Sequence, residues 1–227
     1  TPIHWRPIDY WVESAAICRK KGLLKALGLS NCNADQVRKA VIAGKKYGVP
    51  IVCNQVHYSL LDYNSTALHE MEKTCRELGV TIIAYSPLGQ GLLTDKLTHD
   101  SFQTNKPAKM FRLSWSDIQP LRSCLRRIAD SHDTTMAQVA LNWCASHDTV
   151  VLVGCRSLRQ AQDTLGAVGW DLTEEEVQEL DSLALGRCTL DSPLWRRALF
   201  VMLAGIVMNM ARALDWFGLG MVKQASL

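Results

Sequence analysis

The chain has 227 residues, of which 48% are hydrophobic and 21% are charged. This composition is typical of one or two globular domains and excludes a disordered or collagen-like chain. The net charge of +3 is too small to indicate nucleic-acid binding, and it falls entirely within residues 193–227, since residues 1–192 are neutral. Because the first residue is Thr1 rather than Met, we expect a processed, truncated or incomplete N-terminus.

Short apolar runs alternate with amphipathic helices along most of the sequence. Predicted strands cover residues 26–30, 51–55, 81–85 and 150–153, and residues 1–4 fit the end of a fifth strand. Predicted helices cover about 34–47, 66–78 and 158–166, two more lie between 116 and 148, and a last one is opened by a capping box at Thr173. The stretch from 86 to 116 is predicted to be a Gly-rich loop followed by a polar segment.

This alternation is typical of the α/β class, with a parallel sheet covered on its faces by helices. Two architectures remain open at this point, a small open sheet and part of a closed (β/α)8 barrel. A complete barrel takes about 250 residues, so the strand spacing fits only its second half.

Cysteine and histidine spacing argues against a metal site. The eight cysteines are widely separated and form no C-x-x-C pair, and the six histidines form no H-E-x-x-H pattern. Several cysteines lie in apolar segments, which predicts buried, reduced thiols and a reducing compartment, either the cytoplasm or an organelle stroma or matrix.

Polar side chains follow the predicted strands, at the edge where α/β proteins carry their chemistry. Amide and hydroxyl groups there offer both donors and acceptors to a carboxamide, and Tyr85 offers a flat face to a ring. After the last strand, a helix begins at Ser157 beside Arg156. The free N–H groups of that helix, its dipole and the guanidinium together favour a phosphate.

These runs give the sequence a specific resemblance to the C-terminal half of an aldo-keto reductase, over about residues 1–185. The matching runs are Ile3-His4-Trp5, residues 22–31, 54–61 and 84–93, and Gly154-Cys-Arg-Ser-x-x-Gln160. The resemblance implies a partial (β/α)8 TIM barrel, with four to five parallel strands forming its second half. It also implies NADPH as the cofactor and a carbonyl compound as the substrate.

The resemblance further assigns roles to individual residues. The groups that hold the nicotinamide carboxamide would be Ser30, Asn31 and Gln55, with Tyr85 stacked on the nicotinamide ring. The groups that line the pyrophosphate would be Ser86, Leu88 and Gly91. The groups around the adenosine 2′-phosphate would be Arg156, Ser157, Gln160 and Asp163. The active-site histidine that orients the substrate carbonyl would be His4.

The sequence also departs from the family pattern. The family's Tyr acid and the Lys and Asp that tune it precede the histidine strand, and no segment here matches them. Val153, Cys155 and Thr164 stand where Pro, a small residue and Asn are usual. We therefore expect an NADPH-dependent carbonyl reductase seen as its cofactor-binding half, and not catalytic by itself. The alternatives are a degenerate structural subunit of a larger complex, membrane-bound or not, and a redox sensor without turnover.

The C-terminal segment 193–227 does not fit the family pattern. Residues 198–211 are almost all apolar and are flanked by Arg196, Arg197 and Arg212. This run of 14 residues is shorter than the ~17–25 needed to cross a bilayer. We predict an apolar helical extension to the body formed by 1–192, and we favour its docking on a membrane or partner protein over packing on that body.

Overall fold

The computed structural model describes residues 6–187, apart from the side chain of Met110. Three predictions lie outside the described residues: the strand end at 1–4, the role of His4 and the helical extension at 193–227. All statements about structure below concern the described part of the chain.

Residues 6–187 fold into four strands, nine α-helices and one short 3-10 helix. The strands are β1 (Leu27–Ser30), β2 (Ile51–His57), β3 (Thr81–Tyr85) and β4 (Thr149–Leu152). The first helices are α1 (Ile8–Lys20), α2 (Ala34–Tyr47), α3 (Thr66–Leu78), α4 (His99–Thr104) and α5 (Lys106–Phe111). The others are α6 (Trp115–Ser131), α7 (Met136–Ser146), α8 (Leu158–Leu165), α9 (Glu174–Leu183) and the 3-10 helix Gly89–Gly91.

The strands form one parallel sheet in the order β1-β2-β3-β4. The predicted α/β class and parallel pairing are therefore confirmed. Helices α2 and α3 have the predicted bounds because their ends carry local signals. The Asn33 side chain accepts a hydrogen bond from the backbone N–H of Gln36. Gly48 and Gly79 end the two helices in left-handed conformations.

Three predictions about elements need correction. Helix α1 was not expected, and it buries Val12, Ala15 and Ala16. The stretch 86–116 holds α4, α5 and the 3-10 helix rather than only a loop and a polar segment. Strand β2 runs two residues beyond its predicted end at 55 and finishes at His57.

The two faces of the sheet differ in their exposure. Strand register places Val56 beside Ala84, and both are fully buried. Residues on the opposite face are less covered, and on β4 the side chains of Val150 and Leu152 are 54% and 49% exposed. Parallel sheets are ordinarily covered on both faces, so this second face and its edge are unusual.

Candidate functional site

Four of the predicted site residues meet at the carboxyl edge of the sheet. The Tyr85 hydroxyl donates to the Asn31 Oδ1 at 3.1 Å, and the Asn31 side-chain amide lies 3.4 Å from the Ser30 Oγ. The Asn31 backbone N–H donates to the Gln55 carbonyl at 2.8 Å, which extends the ladder between β1 and β2. The site therefore combines amide, hydroxyl and phenol groups from three adjacent strands.

Asn31 has a backbone conformation that favours this arrangement. Its φ is 51°, in the left-handed region, which Asn tolerates better than most residues. That turn ends β1 and directs the Asn31 side chain toward Tyr85 on β3, two strands away. All four of these polar residues are half-buried.

A buried amide next to the site fixes the loop after β1. Asn54 is fully buried, and its side chain accepts from the Cys32 N–H at 3.3 Å and donates to the Cys32 carbonyl at 2.9 Å. This pair of bonds holds the backbone just beyond Asn31. Asn54 thus satisfies the backbone groups of the loop that follows β1.

The Gly-rich loop after β3 is tightly wound. Ser86 has a φ of 55°, and its carbonyl accepts from the Gly89 N–H at 2.9 Å. A Cβ on Gly89 would lie 2.4 Å from the Leu61 side chain, and the φ of Gly89 is also positive. Glycine is therefore required at this position for both space and conformation. The loop places Leu88 and Gly91, half-buried, after the end of β3.

Arg122 on α6 clamps the same loop, and sequence reasoning missed it. Its guanidinium donates to the carbonyls of Leu92 at 2.6 Å, Thr94 at 2.9 Å and Leu97 at 2.7 Å. Burial lowers the pKa of Arg122, although its ordinary value is so high that the group stays charged. The residue is separated from its partners by 25 to 30 positions, so no local pattern reveals the contact.

The predicted phosphate residues meet at the start of α8. The Ser157 Oγ accepts from the Gln160 N–H at 3.3 Å, and the Gln160 Oε1 accepts from the Arg156 N–H at 2.7 Å. Arg156 and Ser157 are exposed. Arg156 is thus an exposed cationic residue that directly precedes the N-cap of an eight-residue helix, whose first turn is the positive end of its dipole.

Asp163 lies on the same helix but is engaged elsewhere. Its carboxylate accepts from the Thr135 Oγ1 at 3.1 Å and from the Gln138 Nε2 at 3.2 Å, at the start of α7. Two of the three departures from the family pattern, Cys155 and Thr164, are neighbours, with the Cys155 Sγ 3.7 Å from the Thr164 Oγ1. Asp163 thus joins α8 to α7, and the departures form one small contact beside the phosphate residues.

Residues 6–187 contain neither a cluster of metal-binding side chains nor a membrane-spanning helix. No three His, Cys, Asp or Glu side chains of this part of the chain come together as a possible metal site. None of its helices combines the length and apolar character needed to cross a bilayer.

The fold is an α/β one with its polar residues at the carboxyl edge of a parallel sheet, where proteins of this class bind ligands. The chain belongs to the aldo/keto reductase family, whose model matches residues 2–185.

Known relatives extend this result. Pyridoxal reductase of Arabidopsis thaliana, described as chloroplastic, is 40% identical over 190 residues, which cover 80% of this chain and 52% of that protein. Aldo-keto reductase yakc [NADP(+)] of Schizosaccharomyces pombe is 26% identical, and the match covers 77% of this chain and 52% of that protein. A thermostable aldo-keto reductase crystallised with the inhibitor epalrestat is 26% identical with a TM-score of 0.60, over 79% of this chain and 56% of that one. The chain spans little more than half of each.

Proposed function

We propose that this chain is the cofactor-binding half of an NADPH-dependent reductase that transfers hydride to an aldehyde or ketone. The observation that carries the proposal is the bonded cluster of Asn31 and Tyr85 at the carboxyl edge of the sheet. The names of two relatives support it, one by NADP(+) and the other by pyridoxal, an aldehyde.

The residues present fit this cofactor in their chemistry. A carboxamide needs both donors and acceptors, which Ser30, Asn31 and Gln55 supply, and Tyr85 offers its half-exposed ring to the nicotinamide. The wound loop of Ser86, Leu88 and Gly91 would follow the pyrophosphate. The 2′-phosphate would lie at the start of α8, near Arg156, Ser157 and Gln160, whereas the Asp163 carboxylate is bonded to Thr135 and Gln138. When bound, the cofactor supplies the hydride.

The proton for the resulting alkoxide needs a positioned acid. We propose that this acid belongs to the family's Tyr, Lys and Asp segment, which has no counterpart in these 227 residues. The chain by itself would then not catalyse the reaction. His4 would orient the carbonyl in the completed enzyme. These roles follow from the family resemblance.

The uncovered surface beside β4 supports the half-barrel architecture. Helix α8 has no buried residue, and Leu158 and Leu165 are 75% and 69% exposed. On β4, Val150 and Leu152 are also exposed, by 54% and 49%. Since the matched relatives contain almost as much chain again, we propose that further parallel strands and helices cover this surface and close the barrel.

The 2′-phosphate assignment gives the sharpest test of the proposed function. Replacing Arg156 with Gln is expected to weaken NADPH binding about tenfold, because a hydrogen bond to a charged group contributes about 1.5–3 kcal/mol. Binding of NADH, which lacks that phosphate, should change less than twofold. The measurement is a titration of the purified chain followed by reduced-nicotinamide fluorescence.

The matched control is Arg38→Gln, which removes the same charge from the surface of α2, where Arg38 forms an exposed pair with Glu77. It should leave both affinities unchanged. Equal weakening of NADPH and NADH by Arg156→Gln would contradict the phosphate assignment. No NADPH binding by the wild-type chain at millimolar cofactor would overturn the proposed function and favour a structural subunit.

We also propose that segment 193–227 docks on a membrane or a partner protein, through the apolar run bracketed by its cationic residues. Deleting 193–227 is expected to move the chain from the membrane or complex fraction to the free fraction. Fractionation of cell extracts measures this, with circular dichroism confirming that the shortened chain is folded. Unchanged partitioning would contradict the proposal.

The compartment is proposed to be a reducing one, the cytoplasm or an organelle stroma or matrix, with the chain peripheral to a membrane where the extension docks. All seven cysteines in the described part of the chain are free, and four of them are buried. The Arabidopsis relative is described as chloroplastic, which agrees with this proposal.

A further inference from the structure

A buried histidine and carboxylate pair lies directly beneath the candidate site. His57 ends β2 with its side chain 3% exposed, and its Nδ1 lies 2.6 Å from the Oδ2 of the fully buried Asp62. The Ser59 Oγ donates to the same carboxylate oxygen at 2.6 Å. The proposed hydride transfer assigns no role to this pair.

The hydrogen bonds assign the orientation of the histidine ring. The ring nitrogen that faces Asp62 is the Nδ1 of His57, and it is the donor of this hydrogen bond wherever the carboxylate is ionised, since a carboxylate only accepts. A buried carboxylate is costly without such donors, so the loop that carries Asp62 and the ring of His57 hold each other in place. Asp62 therefore restricts the rotation of the His57 side chain.

The restricted ring contacts Tyr85. Strand register pairs His57 with Tyr85, and their ring centroids are 5.2 Å apart with planes at 89°. Phe111 packs near the same histidine, with centroids 5.6 Å apart. The Tyr85 ring is thus fixed by His57 packed perpendicular to it and by Asn31 at its hydroxyl.

We propose that His57, held by Asp62, is a positioning residue that sets the plane of Tyr85 and so the fit of the nicotinamide ring. This inference rests on the proposed function, since Tyr85 is the residue assigned to the nicotinamide. Edge-to-face packing contributes specific geometry in addition to buried area, and a stacking surface that rotates loses part of its contact with the ring above it. The alternative is that the pair only stabilises the fold.

Three variants separate these two roles. Asp62→Ala removes the acceptor that orients His57, whereas Asp62→Asn retains one acceptor oxygen. Tyr58→Phe is the stability control, since it removes another buried hydrogen bond, from the Tyr58 hydroxyl to the Glu72 carboxylate at 2.8 Å. If Asp62→Ala does not fold, His57→Gln replaces it with the same expected results, because it removes the ring that packs on Tyr85, and Asp62→Asn remains the conservative comparison.

The first measurement needs no cofactor. The flip rate of the Tyr85 ring is followed by NMR of chain labelled with ¹³C-tyrosine. We expect Asp62→Ala to accelerate the flip at least tenfold, Asp62→Asn to stay closer to wild type, and Tyr58→Phe to leave it unchanged. An unchanged flip rate in Asp62→Ala overturns the proposal.

The second measurement compares NADPH with 2′,5′-ADP, which lacks the nicotinamide. We expect Asp62→Ala to bind NADPH about threefold to tenfold more weakly, within the twofold to twelvefold range that an aromatic contact of about 0.5–1.5 kcal/mol allows, with less than twofold change for 2′,5′-ADP. Equal weakening of both ligands overturns the positioning role. If Asp62→Ala accelerates the ring flip but the wild-type chain binds no NADPH, the contact between His57 and Tyr85 is supported and the proposed function is rejected.

Discussion

Replacing Arg122 with Met is expected to lower the free energy of unfolding by about 3 kcal/mol or more, because three backbone carbonyls lose a charged hydrogen-bond donor. The guanidinium donates to three carbonyls of the loop after β3, at 2.6, 2.9 and 2.7 Å. Methionine fills a similar length but donates nothing, so those carbonyls lose their partners, and each buried unpaired group costs about 1–3 kcal/mol. Urea unfolding followed by circular dichroism measures the change.

Arg126→Met is the matched control, because Arg126 lies one turn further along α6 and is 48% exposed. Its ion pair with Asp95 is at the surface, so the loss should stay below about 1 kcal/mol. Arg122→Lys should fall between the two variants, since an ammonium reaches fewer carbonyls than the planar guanidinium. Equal destabilisation by Arg122→Met and Arg126→Met would contradict the clamp.

Elements with local signals could be predicted from the sequence alone. Helix α2 begins at the cap of Asn33 and ends at Gly48, and both residues act within one turn of the helix end. Helix α1 has no side-chain cap hydrogen bond, and its buried Val12 and Ala16 cluster with Ala43 and Val49. Its stability thus depends on contacts with residues far along the chain, which no local pattern contains.

The end of β2 was placed too early for a related reason. Two polar residues in a row, such as Asn54 and Gln55, are typical of the end of a strand. Asn54 instead lies within the sheet because Cys32, 22 residues away, satisfies its side chain. The true end at His57 is visible only once β2 and β3 are paired, which places His57 beside Tyr85.

The candidate site divides in the same way. Tyr85, Asn31 and Arg156 could be predicted because strand ends and a helix start mark them in the sequence, and because family resemblance gives them roles. Arg122 and His57, which hold the loop after β3 and the Tyr85 ring in place, could not be predicted. Arg122 and its partners lie 25 or more positions apart, and His57 is one polar residue in a β-prone run. Contacts with other elements determine how those supports act: Arg122 bonds to the loop after β3, and His57 packs on Tyr85.

Alkylation of the native chain with iodoacetamide at pH 8 is expected to modify Cys155 at least ~1,000-fold faster than Cys75, because the thiolate is the reacting form and Cys75 is fully buried. Burial raises the pKa of Cys75 to about 12 and that of Cys124 to about 11, from an ordinary 9.0. At pH 8 the thiolate fraction of Cys75 is then about one part in ten thousand. Peptide mapping by mass spectrometry reports each cysteine separately.

The chain denatured in urea is the control, and there the two sites should react at similar rates. Comparable labelling of Cys75 and Cys155 in the native chain would contradict the burial.

The raised pKa also fixes a direction for stability: the unfolded thiol ionises near pH 9 while the folded one stays neutral to about pH 12. The contribution of Cys75 to stability is therefore complete below about pH 9 and is lost as the pH rises through about 12. A thiol protected in this way survives mild oxidation only while the fold stays closed, so Cys155 should be the first of these two to oxidise.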